Sequence, residues 1–420
     1  MPIQQINMDP RDRVCVARQP ILFPSGQVFG YELLYRANVA DTACHASGDL
    51  AAARVLTDAL LNLGLENLTD GRVAFINVTR EVLLAGAADL LPRTASVLEL
   101  REDVAVDRDV LEACRQLHAR NYALALDDFE PGSPAEMLMP YVQYVKVDVV
   151  ATTASQRAEL ARRLLPLGIK LVAEKVETEA EVAEVRQAGY GLLQGYFFCR
   201  PATLSASSVP SERMAYLQVL AALNRPNVGV IELEEIIKRD ASLAYRVLRS
   251  INSAAFGVRQ EIRSIRQALV MLGTGRIRQW ASVWALAGVH TGGNPEAMNL
   301  AVIRARCCEQ IISASSGAEA GAECFLLGLC SLLDVMLNRP MEDILPTLPL
   351  ADEIRDALVG TDNTERALLD AVIAYERGDW DGAAAAGDRA DIGFEALQPA
   401  YEDALVWSHE LTRASRSAAA

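Results

Sequence analysis

The chain has 420 residues, 51% of them hydrophobic and 6% aromatic, and a net charge of −15. That length asks for two or three domains, and that much apolar material excludes a disordered polymer. The acidic balance excludes holding duplex nucleic acid as a main task, because phosphates are neutralised by clustered cations.

The eight cysteines, Cys15, Cys44, Cys114, Cys199, Cys307, Cys308, Cys324 and Cys330, form no CxxC pair and have no histidine at ligand spacing. This is the usage of reduced, mostly buried thiols and not of disulfides or a zinc site. No apolar leader opens the sequence and no apolar run reaches about 18 residues, so a cytoplasmic protein with no membrane partner is expected.

From the N-terminus, β-like runs alternate with stretches of helical length. Strands are expected over Arg13 to Phe23, Gln27 to Tyr35, Val73 to Val78, Ser96 to Leu100, Tyr122 to Leu126, Tyr144 to Asp148, Lys170 to Ala173 and Gly191 to Phe198. Helices are expected over Ala51 to Leu63, Arg108 to Arg120, Gln156 to Leu165 and Glu179 to Ala188. Repeated strand-helix-strand units imply a parallel sheet, and seven or eight of them imply an α/β barrel of the TIM type. After Pro201 the text changes: Thr203 to Glu212, TLSASSVPSE, is small and polar, and beyond it only helical periodicity remains, as in IELEEIIKRD and LAYRVLRSIN. The expected domains are therefore a barrel over residues 1–204, a linker over 205–212, an all-α helical domain over 213–400 and a fraying C-terminal tail over 401–420.

The chemistry centres on Tyr122 to Glu130, YALALDDFE, a buried strand that ends in Asp127 and Asp128. Neighbouring side chains on a strand point to opposite faces, so two adjacent Asp can serve one site only where the backbone turns over at the strand's end. Other polar residues interrupt or close the remaining strands: Glu32 after Gly30-Tyr31, Asn77 in VAFIN, Glu99 in VLELRE, Lys146 in YVKVD, Glu174 in LVAE and Gln194 in GLLQGY. One such residue alone would more often be a cap or a solvated rim group. A series on successive strands argues for one site. Converging carboxylates need cations, and four Asp/Glu groups with an Asn amide are hard donors suited to Mg²⁺ or Mn²⁺. Two ions bridged by one carboxylate, with Asp127 the best bridge, would activate a water and steady the leaving oxygen of a phosphodiester, beside the charge of Lys146.

In order, YELLYR, FINVT, LELRE, ALDDF, VKVD, VAEKVET and LLQGYFFCRP resemble the EAL domain, over roughly residues 13 to 202. The resemblance implies a modified TIM barrel that hydrolyses cyclic di-GMP with Mg²⁺ or Mn²⁺. It implies metal ligands at Glu32, Asn77, Glu99, Asp127, Asp128 and Glu174, and catalytic roles for Lys146, Glu174 and Asp128. It also implies nucleotide contacts from Gln19, Arg36 and the active-site Gln194, and loop anchors at Glu102 and Glu177. The second half, with KRDASLAYRVLRSINSAAFG, RSIRQALVMLGTGRIRQW and FLLGLCSLLDVML, resembles the HDOD domain, a helical relative of the HD phosphohydrolases without their metal dyad. None of His45, His118, His290 and His409 is followed by Asp. The resemblance thus implies an interaction module that meets an unidentified signalling protein, in a fusion like the YuxH-type signalling proteins, with a homodimer as one assembly it allows.

Three departures from the pattern stand out. Leu33 changes only a packing volume. Glu130-Pro131 replaces glycine-rich text after the paired Asp and puts the geometry of that loop in question. Lys175 replaces a glycine and points either into the helix layer or over the mouth. All ligand positions survive, which favours an active phosphodiesterase giving the linear dinucleotide. The altered loop favours a receptor that binds cyclic di-GMP and signals through the helical half, and this reading is put slightly ahead. In a third reading the helical half binds nucleic acid or a kinase, since Arg246, Arg249, Arg259, Arg263, Arg266, Arg276 and Arg278 make Tyr245 to Trp280 locally basic, although such charges are usually a solvated face.

Overall fold

The computed structural model describes residues 14–37, 64–86, 88, 91–199, 211–225, 228–252, 262–289 and 295–419. The helix expected over Ala51 to Leu63 lies outside them. The chain divides into two compact units, Met1–Phe197 with Glu376–Gly378, and Phe198–Tyr375 with Asp379–Ala420.

In the first unit eight strands close a barrel in sequence order: β1 (Val14–Leu22), β2 (Val28–Ala37), β3 (Val73–Val78), β4 (Ser96–Leu100), β5 (Ala123–Leu126), β6 (Tyr144–Asp148), β7 (Lys170–Glu174) and β8 (Leu192–Gln194). The all-parallel expectation fails at one strand, since β1 runs antiparallel to both β2 and β8. The reason is the short connection to β2. Phe23 N–H donates to Gln27 O at 2.8 Å and Gly26, at φ 83°, donates back to Phe23 O at 2.8 Å. So tight a turn can only make a hairpin, because a parallel return needs a crossover of a dozen residues or more.

Alternation then sorts the side chains. Leu98, Leu124, Val145 and Leu171 point outward and meet Val110, Cys114, Leu117, Leu160, Leu164 and Val185 in the layer between sheet and helices. Those helices follow α1 (Leu65–Thr69) and α2 (Arg80–Leu84), and are α3 (Arg108–Ala119), α4 (Ala154–Leu164) and α5 (Glu179–Ala188). Each starts at a designed stop: Asp107 accepts from Asp109 N and Val110 N, while Thr153 and Thr178 form capping boxes with Gln156 and Glu181. The inward neighbours, Ile21, Phe75, Val97, Ala125, Tyr144, Val172 and Leu192, make a separate apolar plug inside the barrel. β8 is shorter than the expected run to Phe198. At Gly195, φ is 148° and a Cβ would stand 2.1 Å from Val176 O, so the backbone leaves the sheet directly after Gln194.

The second unit is helical: α6 (Ser211–Leu223), α7 (Val230–Arg239), α8 (Ala241–Ile251), α9 (Ile265–Leu272), α10 (Thr274–Val289), α11 (Pro295–Ser316) and α12 (Ala318–Cys330). The short α13 (Leu333–Leu337), α14 (Met341–Ile344) and α15 (Asp352–Leu358) lead into α16 (Thr364–Glu376), α17 (Trp380–Arg389) and α18 (Phe394–Ala419). Gly328 lets α12 lie directly on α11, since a Cβ there would come 2.3 Å from Ala305 N. Gly273, at φ 85°, ends α9 as its sequence suggests.

Helix runs past two of the expected boundaries. α6 begins at Ser211, inside the expected linker. The expected tail from residue 401 is part of α18, whose Tyr401, Ala404, Leu405 and Leu411 are buried. A run of polar and alanine residues at the end of the sequence hid that apolar stripe. Among the described residues, Cys114, Cys308, Cys324 and Cys330 are buried free thiols. Burial pushes Cys114, Cys324 and Cys330 up to about 12. No helix of the described residues is long and apolar enough to cross a membrane.

Candidate active site at the barrel mouth

One step toward the C-terminal rim from the apolar plug, the period-2 alternation puts polar residues on the same inward face. Phe75 leads to Asn77, Val97 to Glu99, Ala125 to Asp127, Tyr144 to Lys146, Val172 to Glu174 and Leu192 to Gln194. The register seats Asn77 beside Glu99. On β1, which runs the other way, the corresponding step goes backward from Ile21 to Gln19, opposite Glu32.

Lys146, 1% exposed, is the hub. Its Nζ lies 3.0 Å from Glu32 Oε2, 2.7 Å from Glu174 Oε1 and 3.1 Å from Asp127 Oδ1, and pairs with Glu99 as well. Five strands and strand ends thus converge on one ammonium. Gln194 Nε2 donates to Glu32 Oε2 at 2.6 Å and to Gln19 Oε1 at 2.9 Å, and Asn77 Nδ2 donates to Glu32 Oε1 at 2.8 Å. Tyr35 on β2 holds the end of β3, its hydroxyl donating to Asn77 O at 2.5 Å.

The electrostatics follow from burial and charge. Burial alone would depress the Lys146 ammonium, but the carboxylates of Glu32, Glu99, Glu174 and Asp127 outweigh it and hold its pKa well above the usual lysine range. Glu99 is pushed well above the carboxylate range, first by burial and then by Glu32. Glu174 rises to about 8, again chiefly through burial. Asp127 feels burial too, yet Lys146 brings it below its ordinary value.

Asp128 stands apart. Its backbone is left-handed, φ 39°, and turns its side chain away from Lys146 toward the rim. There Lys175, itself at φ 56°, reaches over with its Nζ 3.8 Å from Asp128 Oδ2 and 2.5 Å from Asp148 Oδ2. The strand ends at Glu174, so of the two placements open for Lys175 the structure takes the one over the mouth. Asp148 was not singled out in the sequence. Its role depends on the left-handed turn at Lys175, which a lysine does not announce.

The loop after the paired Asp also resolves. Asp127 N–H donates to Leu100 O at 2.9 Å and Phe129 N–H to Lys146 O at 3.1 Å, so the neighbouring strand ends hold both sides of Asp128. Glu130 is not left-handed. That conformation falls on Gly132, φ 82°, whose N–H donates to Glu136 Oε1 at 2.9 Å. A groove of about 690 Å³ opens here, lined by Glu102, Asp127, Asp128, Phe129, Glu130 and Asp148 among others. Glu177 is exposed just before α5, and the side chain of Arg36 lies outside the described residues.

Whether these residues suit a divalent ion can be tested on their unspent oxygens. Among the described residues no three of the acidic side chains are drawn into ligating geometry as they stand, since the Lys146 ammonium holds the centre. Yet Asn77 Oδ1, Glu99 Oε2, Glu174 Oε2 and Asp128 Oδ1 are buried with no hydrogen-bond partner. Buried acceptors are normally satisfied, so the three orphaned hard oxygens of Asn77, Glu99 and Glu174 at the inner site fit a Mg²⁺ or Mn²⁺ ion, with the fourth, on Asp128, nearer the rim.

In the helical unit, Arg266 is spent on Glu234 at 2.6 Å and Arg278 donates to Val228 O at 3.3 Å. The side chains of Arg246, Arg249 and Arg259 lie outside the described residues, as does His290.

Fold and site together define an α/β barrel with one antiparallel strand and a hard-oxygen mouth, followed in the chain by a helical domain. The chain belongs to the EAL domain family, in the form that carries an HDOD domain: the EAL domain model matches residues 4–201 and the HDOD domain model residues 209–348. It is 33% identical to "Uncharacterized protein YuxH" of Bacillus subtilis over 407 residues, 95% of this chain and 99% of that one. It is 32% identical to "Cyclic di-GMP phosphodiesterase CdgJ" of Vibrio cholerae over 405 residues, 95% of this chain and 93% of that one. The solved calcium and cyclic di-GMP complex of Klebsiella pneumoniae BlrP1 is 23% identical, with a TM-score of 0.39 over 48% of this chain and 58% of that chain.

Proposed function

We propose that the barrel mouth binds cyclic di-GMP and opens it to the linear dinucleotide with the help of Mg²⁺ or Mn²⁺. The observation that carries this reading is the buried Lys146 ammonium ringed by Glu32, Glu99, Asp127 and Glu174, with hard oxygens left over on Asn77, Glu99 and Glu174. The likeness to a named cyclic di-GMP phosphodiesterase along 95% of this chain supports the choice of substrate. Glu32, Asn77, Glu99, Asp127 and Glu174 would hold the ion, which supplies Lewis acidity toward water and phosphate oxygen.

The chain's own groups do the rest. The carboxylates around Lys146 favour its protonated form, so it acts as a positive charge that draws a phosphate oxygen and balances charge gathered during in-line displacement. Glu174 shares the Lys146 centre and, as one of the groups that would hold the ion, would be ionised there and accept a hydrogen bond from the attacking water. Gln194 and Gln19 form a polar rail across β8 and β1 that orients the nucleotide. The helical unit, lacking an HD dyad, serves as the module that meets a protein partner.

A receptor that binds the nucleotide and turns it over slowly is the second reading, favoured by the ammonium of Lys175 beside Asp128. One experiment separates them: formation of linear product with Mn²⁺, wild type against Glu32→Ala. Hydrolysis predicts product from the wild type and loss of at least about 100-fold in the variant. Equal rates in both, with heat still released on titrating cyclic di-GMP into the wild type, would leave the receptor.

A further inference from the structure

Two ammonium groups divide the acidic residues of the mouth between them. Lys146 takes Glu32, Glu99, Asp127 and Glu174 inside the barrel. Lys175 takes Asp148 and Asp128 at the rim. The outer group is built and not incidental. Asp148 is fixed from below, its Oδ1 accepting from Val150 N at 2.6 Å and Ala151 N at 3.1 Å, which turns Oδ2 to Lys175. Lys175 in turn holds a left-handed backbone that glycine would adopt more freely, so its side chain is retained against a conformational cost.

A second divalent ion bridged by Asp127 would take its other ligands from Asp128, since paired ions in such sites stand about 3.5 to 4 Å apart. That place already faces a cation, with Lys175 Nζ 3.8 Å from Asp128 Oδ2. A divalent ion held through Asp128 Oδ2 would stand close to that ammonium and be repelled by it.

We propose that the Lys175 ammonium, held over Asp128 by Asp148, stands in for a second metal ion, so that the mouth loads one divalent ion per chain. This rests on the reading of the mouth as a divalent-ion site. The fixed charge serves the phosphate oxygen that a second ion would have faced, and it ties Asp128 to the rim and not to the inner ligand set.

The test is metal stoichiometry of the full chain with excess Mn²⁺, by native mass spectrometry and by titration calorimetry. The wild type is expected to hold one ion. Lys175→Gly, which relieves the backbone and removes the charge, is expected to hold two. Lys175→Asn removes the charge but keeps a side chain that tolerates the left-handed region, and is also expected to hold two. Two ions in the wild type, or one in both variants, overturns the role of Lys175 and leaves the inner site standing. Two ions in Lys175→Gly but one in Lys175→Asn also overturns it, since backbone and not charge would then decide. No ion in any of the three overturns both this inference and the divalent-ion reading.

Discussion

At the scale of single residues, Lys146 decides whether the mouth holds together. Burying an ion costs several kcal/mol, and Lys146 is almost fully enclosed, so its ammonium is tolerable only because of the four carboxyl groups around it. Lys146→Met removes the hub and leaves neighbouring carboxylates to repel one another. The expected loss is about 3 to 5 kcal/mol of stability at neutral pH, read by denaturant unfolding, together with loss of product formation. Mn²⁺ should restore more stability to this variant than to the wild type, because it supplies the missing charge. A variant as stable as the wild type would show that the acids around Lys146 are solvated and not converged. Lys146, Glu99, Asp127 and Glu174 were legible from sequence because each sits two residues beyond an apolar strand position, and strands keep that alternation wherever the helices lie. Asp148 was not legible. Its importance comes from the turn at Lys175 and a contact across two strand ends, neither of which periodicity records.

At the scale of elements, the pairing of β2 with β3 sets the geometry of Glu32 and Asn77. Gly30 is opposite Val73 in that pair, and a Cβ at Gly30 would stand 2.4 Å from Val73 O and 3.3 Å from Val73 Cβ. No flexible side chain can give way there, because the nearest atom is backbone. Gly30→Ala therefore forces the strands apart just below the site and should cost about 1 to 3 kcal/mol. The 2.8 Å bond from Asn77 to Glu32 should loosen with it, so activity should fall further than stability alone accounts for. Measuring both at a temperature where the variant is fully folded separates the two effects, and unchanged activity there would mean that strand spacing does not position Glu32. The hairpin of β1 and β2 is an element whose direction could have been read from the short connection Phe23 to Gln27, but its consequence could not. With β1 reversed, Gln19 reaches the mouth from the opposite end of its strand, and the step that locates every other site residue changes sign.

At the scale of the whole molecule, each unit carries its own core, the barrel around the plug of Phe75, Val97 and Val172, and the helical unit around α11, α12 and α18. The sequence changes texture after Pro201, where helical periodicity takes over, whereas α18 buries Tyr401 and Leu405 under a surface-like composition that periodicity does not record. Two separate cores mean two cooperative units. Every group that would hold a divalent ion lies in the barrel, so Mn²⁺ binds only the folded form of that unit. At about a hundredfold its dissociation constant, the ion should stabilise the barrel by roughly 2.7 kcal/mol and leave the helical unit where it was. Calorimetry of the full chain should then show two transitions, of which only one moves with Mn²⁺. If both move together, the units are thermodynamically coupled, and metal loading at the mouth is itself transmitted to the helical domain. If neither moves, the orphaned oxygens of Asn77, Glu99 and Glu174 are not metal ligands, and the hydrolytic reading falls with them.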